Sequence, residues 1–366
     1  MKVGFFSPLP PARTGVADYS AALLGALRHR GDVKTGRVNS AVNLYQIGNN
    51  RFHREAYRCA IARPGVVTLH DALLHHLFLD TANADEYIKE FVYNYGEWSR
   101  NLAWELWRDC DRSGVDPRYF RYAMLRRIAE VSRAIIVHNP RAATIVKEHV
   151  PTARVVEIPH LFHPPGFPFE TEIVRLRERL GISTRTFLFA VFGYLRESKR
   201  LPVVMRAFEK VRAAGIDAAL LIAGEFVSFD LECVMRPLFS LPNVYRVGHV
   251  PEREFWLHAA SVDACVNLRY PSAGETSGIG VRLMGLAKPV IVTAGEECSR
   301  IPENACIRVE PGPGETEELA QYMACLAQAP LLAREIGRQA AAHIQENHSL
   351  DAVADQYWDV LLSCRD

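Results

Sequence analysis

The stretch NLRYPSAGETSGIGVRLMGLAKPVIV, residues 267–292, decides the fold. It opens on the tail of an apolar run, DACVNL, which reads as a buried strand closing at Leu268. A loop holding Pro271 and Gly274 follows. A helix then starts near Thr276, and a second apolar run, KPVIVT, comes after it. Strand, loop, helix and strand in that order make one parallel βαβ repeat. Thr276 and Ser277 are residue types that cap helices, and their amides point out of the helix start. Such a start attracts anions. Glu275 stands beside it, able to accept hydroxyl hydrogens from a polyol. That pairing suits a ligand carrying both phosphate and sugar.

The same alternation runs outward through the chain. KVGFFS, VNLYQI, GVVTLH, AIIVH and RVVEIP read as buried strands in the first half, and FLFAVFG, AALLIAG, NVYRVG and ACIRV in the second. Amphipathic stretches lie between them: Val16, Tyr19, Leu23 and Leu27 share one helical face, as do Val203, Ala207 and Val211. HLFHPPGFPFE, residues 160–170, interrupts both periods with Pro and Gly and marks a boundary. The expected organisation is a Rossmann-like domain over 1–165 with a helical insert at about 80–127, a second Rossmann-like domain over 166–350, and a terminal helix over 351–366. Each half is doubly wound, and its ligands belong at the carboxyl ends of the strands. The two domains are expected to face each other across a cleft.

Composition narrows the function. The 366 residues are 49% hydrophobic and 23% charged, which excludes a disordered, collagenous or disulfide-stapled chain. A net charge of +1 gives no surplus for a dedicated nucleic-acid binder. The charge is uneven: residues 1–165 hold 22 Lys/Arg against 16 Asp/Glu, and the remainder is acidic. The eight cysteines are irregularly spaced without a CxxC pair, which fits small buried hydrophobes in a reducing cytoplasm. Pro8, Pro10 and Pro11 stand where a signal peptide needs an apolar core. No apolar run approaches a membrane span.

Other segments carry polar chemistry. Gly15 and Val16 open the first helix and present amides there. His70 ends a strand in HDALLHH; a metal site with His75 and His76 lacks the usual helical spacing. VFGYLRESKR brings Arg196, Lys199 and Arg200 into one strand-to-helix loop, where cations neutralise a diphosphate. Neither GxGxxG nor GxxxxGK[ST] is present, which disfavours dinucleotide oxidoreductases and phosphate-loop ATPases. Residues 87–127 are crowded with aromatics and arginines. They read as a packed helical insert, with a surface for acceptor or membrane as the alternative.

YQIGNNRFH, VVTLHD, FGYLRESKR, LLIAG and NLRYPSAGETSG followed by KPVIV, in that order, resemble bacterial glycosyltransferases of family 4, which have the GT-B fold. The resemblance implies retaining transfer of a hexose-type sugar from a UDP- or GDP-sugar, with no metal or other cofactor, to a glycan, lipid-linked or small-molecule hydroxyl. It implies catalytic roles for His70, Arg196, Lys199 and Glu275. It implies donor contacts at Gly15, Val16, Gly193, Glu225, His249, Val250, Thr276, Ser277, Gly278 and Arg282, with Gly224 and Gly248 in the flanking loops. Asp18, Asn49 and Asn50 would face the acceptor. The cysteine usage points to a cytoplasmic protein, and the basic first domain permits peripheral contact at the inner membrane face and equally a soluble glycan acceptor. The sequence departs from the family pattern twice. Arg282 occupies the place of a ribose-binding Glu, and Tyr194 that of an Arg. A sugar-nucleotide 2-epimerase of the same fold, or a non-catalytic nucleotide-sugar-binding subunit, are the alternatives.

Overall fold

Continuous apolar runs bounded by Gly, Pro and polar turns form strands buried on both faces. In the computed structural model, which describes residues 1–36, 39–166 and 170–365, they do so twice. The boundary segment is described except for residues 167–169. The first unit holds β1 (Lys2–Phe6), β2 (Asp32–Thr35), β3 (Val42–Ile47), β4 (Val66–Leu69), β5 (Ala134–Val137) and β6 (Val155–Glu157). The second holds β7 (Phe187–Phe192), β8 (Ala218–Ala223), β9 (Val244–Val247), β10 (Ala264–Asn267), β11 (Val290–Thr293) and β12 (Ile307–Val309). Both sheets are parallel throughout, in the orders β2-β1-β3-β4-β5-β6 and β12-β11-β10-β7-β8-β9.

Each order reverses once. In the first sheet the reversal falls between β1 and β3, in the second between β7 and β10. Ligands of open parallel sheets sit outside the strand ends at such switch points. The loops after β1 and β3, and those after β7 and β10, are therefore the places to look.

By their contacts, Met1–Leu161, Pro271–Thr276 and Asn347–Asp366 form the first unit. Phe162–Tyr270 and Ser277–Glu346 form the second. The terminal helix Leu350–Ser363 packs on the helix Gly15–Arg28: Val353, Tyr357, Val360 and Leu361 share a core with Tyr19, Leu23 and Leu27. Tyr357 is fully buried, with its hydroxyl 2.9 Å from that of Tyr19 and 3.3 Å from Thr68 Oγ1. Arg30 Nε donates to Asp355 Oδ1 at 2.7 Å on the rim.

β2 escapes the sequence reading, because only Val33 of its four residues is buried and no apolar run announces it. In the insert, Tyr87, Phe91 and Tyr119 are fully buried, and Trp107, Phe120 and Tyr122 pack against them. Most of its arginines are paired: Arg127 with Glu90, Arg126 with Glu130, Arg118 with Asp109 and Asp116, and Arg100 with Glu97. Trp98 and Trp104 are exposed. All eight cysteines are free thiols; five are buried, while Cys233 and Cys325 are exposed. Among the described residues, no helix is long and apolar enough to cross a membrane.

Tyr357→Ala empties a buried aromatic site and should cost about 3–5 kcal/mol. Tyr357→Phe removes only the hydroxyl and should cost about 1–2 kcal/mol. Urea unfolding checks both, and equal midpoints for the two variants would refute packing as the main contribution of this helix.

Candidate functional site

In the second unit, the loops after β7 and β8 are joined backbone to backbone. Leu195 N–H donates to the Glu225 carbonyl at 2.7 Å, and Val227 N–H to the Leu195 carbonyl at 3.1 Å. Gly224 lies at φ +151°, and a Cβ there would stand 2.0 Å from the Gly193 carbonyl oxygen. Only glycine permits that approach. A Cβ on Gly193, itself at φ +90°, would meet Ile279 Cδ1 at 2.4 Å and Lys199 Cε at 3.9 Å. Gly193 thus brings the lysine stem and the first turn of the helix Gly278–Gly285 to one point. Lys199 is buried, whereas Arg196 is exposed at the start of the same turn.

The helix Gly278–Gly285 begins with a capped first turn. Ser277 is its cap: Oγ accepts from Gly280 N–H at 3.1 Å, and the Ser277 carbonyl accepts from Val281 N–H at 3.0 Å. The amides of Gly278 and Ile279 then have no partner within the helix. Two residues that the sequence reading passed over steer the cap. Asn267 Nδ2 donates to Ser277 Oγ at 2.8 Å, and Arg269 Nη2 donates to it at 3.1 Å. Asn267 Oδ1 is buried without a hydrogen-bond partner among the described residues. The signal was present: Asn267 is the polar last residue of an otherwise apolar strand.

Two expected cations are engaged elsewhere. Arg200 is not a free member of the basic loop. It ion-pairs with Glu315, Nε to Oε2 at 3.0 Å, and Glu315 is only 1% exposed. A buried carboxylate left without that partner is costly, so the arginine is held. Arg282 pairs with Glu252 at 3.0 Å and lies over the rings of Phe255 and Trp256, 5.2 and 5.1 Å from their centroids. Trp256 Nε1 also donates to Glu252, at 2.9 Å. Glu225 and His249 are exposed loop residues, and Val250 packs against the core.

In the first unit, polar side chains gather at the ends of β3, β4 and β5. His70 Nε2 lies 2.7 Å from Gln46 Oε1, so the imidazole nitrogen donates there. The His70 ring lies 4.8 Å from Tyr19 and 5.2 Å from His138, and His160 lies 4.7 Å from Tyr19. His138 Nδ1 donates to the Ile158 carbonyl at 2.9 Å, leaving Nε2 buried without a hydrogen-bond partner among the described residues. His53 repeats the pattern, with Nδ1 donating to the Gln46 carbonyl at 3.0 Å. Burial pushes His53 and His138 down to about 4. Burial, then His138, His53 and His160 beside it, holds His70 well below the usual range. His70 is a neutral hydrogen-bonding group at neutral pH.

His75 and His76 turn away from His70. His75 is fully buried and bonded to the Tyr87 hydroxyl at 2.6 Å and the Tyr119 carbonyl at 3.1 Å. His76 Nδ1 lies 3.1 Å from Asn49 Nδ2. Among the described residues, no three His, Cys, Asp or Glu side chains converge as metal ligands. Asn49 ties the loop after β3 to the segment after β4, its Oδ1 accepting from Leu77 N–H at 3.0 Å and its N–H bonding Asp71 at 2.8 Å. Asn50 caps the turn that follows, accepting from Phe52 N–H at 3.1 Å. Asp18 and Gly15 are exposed at the first helix, where Thr14 Oγ1 lies 3.5 Å from Val16 N.

No protein-family model matches the chain, and no curated protein matches it. Solved structures do. HepE of Anabaena in complex with UDP-glucose superposes with a TM-score of 0.69 at 14% identity, covering 99% of this chain and 100% of that one. Sucrose-phosphate synthase from Thermosynechococcus elongatus gives 0.70 at 14%, over 99% and 98%. WaaG, a glycosyltransferase involved in lipopolysaccharide biosynthesis, gives 0.64 at 16%, over 98% and 99%. The fold is the GT-B fold.

Two outcomes follow. Gly224→Ala forces a methyl group into the Gly193 backbone and should cost about 2–4 kcal/mol by denaturant unfolding. For His53, His70, His75 and His138, the folded pKa lies below the unfolded value of about 6.5. Below pH 6.5 the unfolded chain therefore takes up protons that the folded one refuses, and stability falls. The loss is up to about 1.4 kcal/mol per pH unit for each histidine, until the folded pKa is reached. Denaturation at pH 7.5 and 5.5 checks this, and equal stability at both would refute it.

Proposed function

We propose that the protein is a glycosyltransferase that moves a hexose-type sugar from a nucleotide diphosphate sugar to a hydroxyl acceptor, with retention and without a metal ion. The observation that carries the reading is the cradle at the second unit's switch point: the capped helix start at Ser277, the amides of Gly278 and Ile279, and the stem of Lys199 converging on Gly193. Donors fixed in advance around a developing diphosphate charge stabilise its departure without reorganisation at the moment of reaction. The GT-B fold shared with proteins whose structures hold UDP-glucose supports the same class of donor.

In this reading Lys199, Arg196 and the helix amides take the diphosphate. Gly193, Glu225, His249 and Val250 border the nucleotide. Glu275 accepts from the donor sugar's hydroxyls. The first unit supplies Gly15, Val16 and the neutral His70 for the sugar, and Asp18 and Asn50 for the acceptor. The sugar's C1–O bond to the diphosphate breaks as the acceptor oxygen bonds C1. The acceptor's proton leaves on the departing diphosphate, so no separate carboxylate base is required. With Arg282 held by Glu252, the ribose is read by other groups than the carboxylate common in the family. That pairing also supports the rival reading of a binding subunit without turnover.

Thermal-shift screening against UDP, GDP, ADP and dTDP, with their sugars, tests donor binding. A hundredfold excess over the dissociation constant stabilises by about 2.7 kcal/mol. Transfer to glycan, lipid-linked and small-molecule acceptors follows with the nucleotide that binds. An α-linked product from an α-linked donor, turnover undiminished by EDTA, and a loss of at least about 100-fold in kcat for Lys199→Ala are expected. Binding with no transfer to any acceptor would favour the binding subunit. No nucleotide response from folded protein would refute the donor site itself.

A further inference from the structure

The loop Pro271–Thr276 follows β10 of the second unit, yet by its contacts it belongs to the first. A few specific bonds hold it there. Ala72 N–H donates to the Ala273 carbonyl at 2.8 Å. Asn139 Nδ2 donates to the Gly274 carbonyl at 3.0 Å and to Thr276 Oγ1 at 2.9 Å. Asn139 is 2% exposed, at the carboxyl end of β5. Its Oδ1 accepts from Ala142 N–H at 2.8 Å and caps the helix Pro140–His149.

These bonds fix which way the amide faces. Turned over, it would set its N–H donors against the Ala142 N–H and its oxygen against the Gly274 carbonyl. The loop also sits close. Gly274 is at φ +72°, and a Cβ there would come within 2.9 Å of Ala72 Cβ and 3.1 Å of Ile145 Cδ1.

The two loop atoms that Asn139 holds lie on either side of Glu275. The Glu275 carboxylate is in turn shaped by the loop: Oε2 accepts from Ala273 N–H at 2.7 Å and from Ser272 Oγ at 3.3 Å. We infer that Asn139 is a positioning residue, which sets Glu275 for the donor sugar by clamping the loop at Gly274 and Thr276. The inference rests on the glycosyltransferase reading and on the role given there to Glu275. Asn139 itself touches no reacting atom.

Asn139→Ser separates the clamp from the cap. Serine caps a helix as well as asparagine does, but its shorter side chain does not span to the loop. The variant should fold with a midpoint near that of the parent and bind the free nucleoside diphosphate with unchanged affinity. Hydrogen exchange over residues 271–276 should rise, and kcat/KM for the nucleotide sugar should fall about 10- to 100-fold. Asn139→Ala, which loses cap and clamp together, should show the same catalytic loss and a lower midpoint.

The decisive measurement is the cycle with Glu275→Ala. If Asn139 acts through Glu275, adding Asn139→Ser to Glu275→Ala should cost less than a further threefold. Losses that multiply would refute the inference and leave the glycosyltransferase reading intact. Unchanged exchange over 271–276 in Asn139→Ser would do the same. A Glu275→Ala variant as active as the parent, or a parent with no transfer, would overturn the underlying reading and this inference with it. Loosened exchange over the loop would then still distinguish a structural clamp from no clamp.

Discussion

A parallel sheet buried on both faces has nowhere to put polar chemistry except beyond the ends of its strands. β7 and β8 are buried at every residue, β4, β5 and β10 likewise. Helices covering the faces satisfy the demand for apolar burial. Polar side chains are displaced toward the strand ends and the loops that follow, as Gln46 and Asn267 are near the ends of β3 and β10. Where the strand order reverses, two of those loops diverge and leave backbone amides open. The close approach of Gly224 to Gly193 then decides how tightly the second unit's loops can gather.

The two units meet the problem of charge in opposite ways. The second keeps cations: Lys199 and Arg269 lie beside a helix start whose partial charge is also positive. Such a concentration of positive potential is tolerable where an anion is to be received. The first instead buries imidazoles and keeps them neutral. His70, His138 and His53 each give one nitrogen to a carbonyl or amide oxygen, and desolvation suppresses the charged form. On the proposed reading, neutral imidazoles suit hydroxyls in the first unit, and the cationic helix start suits phosphate in the second.

Most of the fold was legible because apolar runs and helical faces are local properties. β2 was not, since an edge strand with Val33 as its single buried residue has no pattern of its own. The capped helix start at Ser277 was legible for the same local reason. What escaped was pairing over distance. Arg200 reads as a third loop cation until Glu315 is brought against it from 115 residues away. Arg282 reads as a lost ribose contact, whereas Glu252, Trp256 and Phe255 give it a place of its own. Asn139 looks like an ordinary helix cap, and half of it is one.

That double use of Asn139 bears on how the site is assembled. Within the first unit, Asn139 holds Thr276 Oγ1 and Ala72 N–H holds the Ala273 carbonyl; within the second, Asn267 and Arg269 hold the Ser277 hydroxyl. Left to itself, the loop Pro271–Thr276, six residues with a glycine at φ +72°, would have had to hold the Glu275 carboxylate alone. Side chains on regular elements hold geometry better than loop backbone does. Borrowing Asn139 from the end of β5 gives Glu275 that support, and the cap it already makes for Pro140–His149 keeps the amide turned the right way.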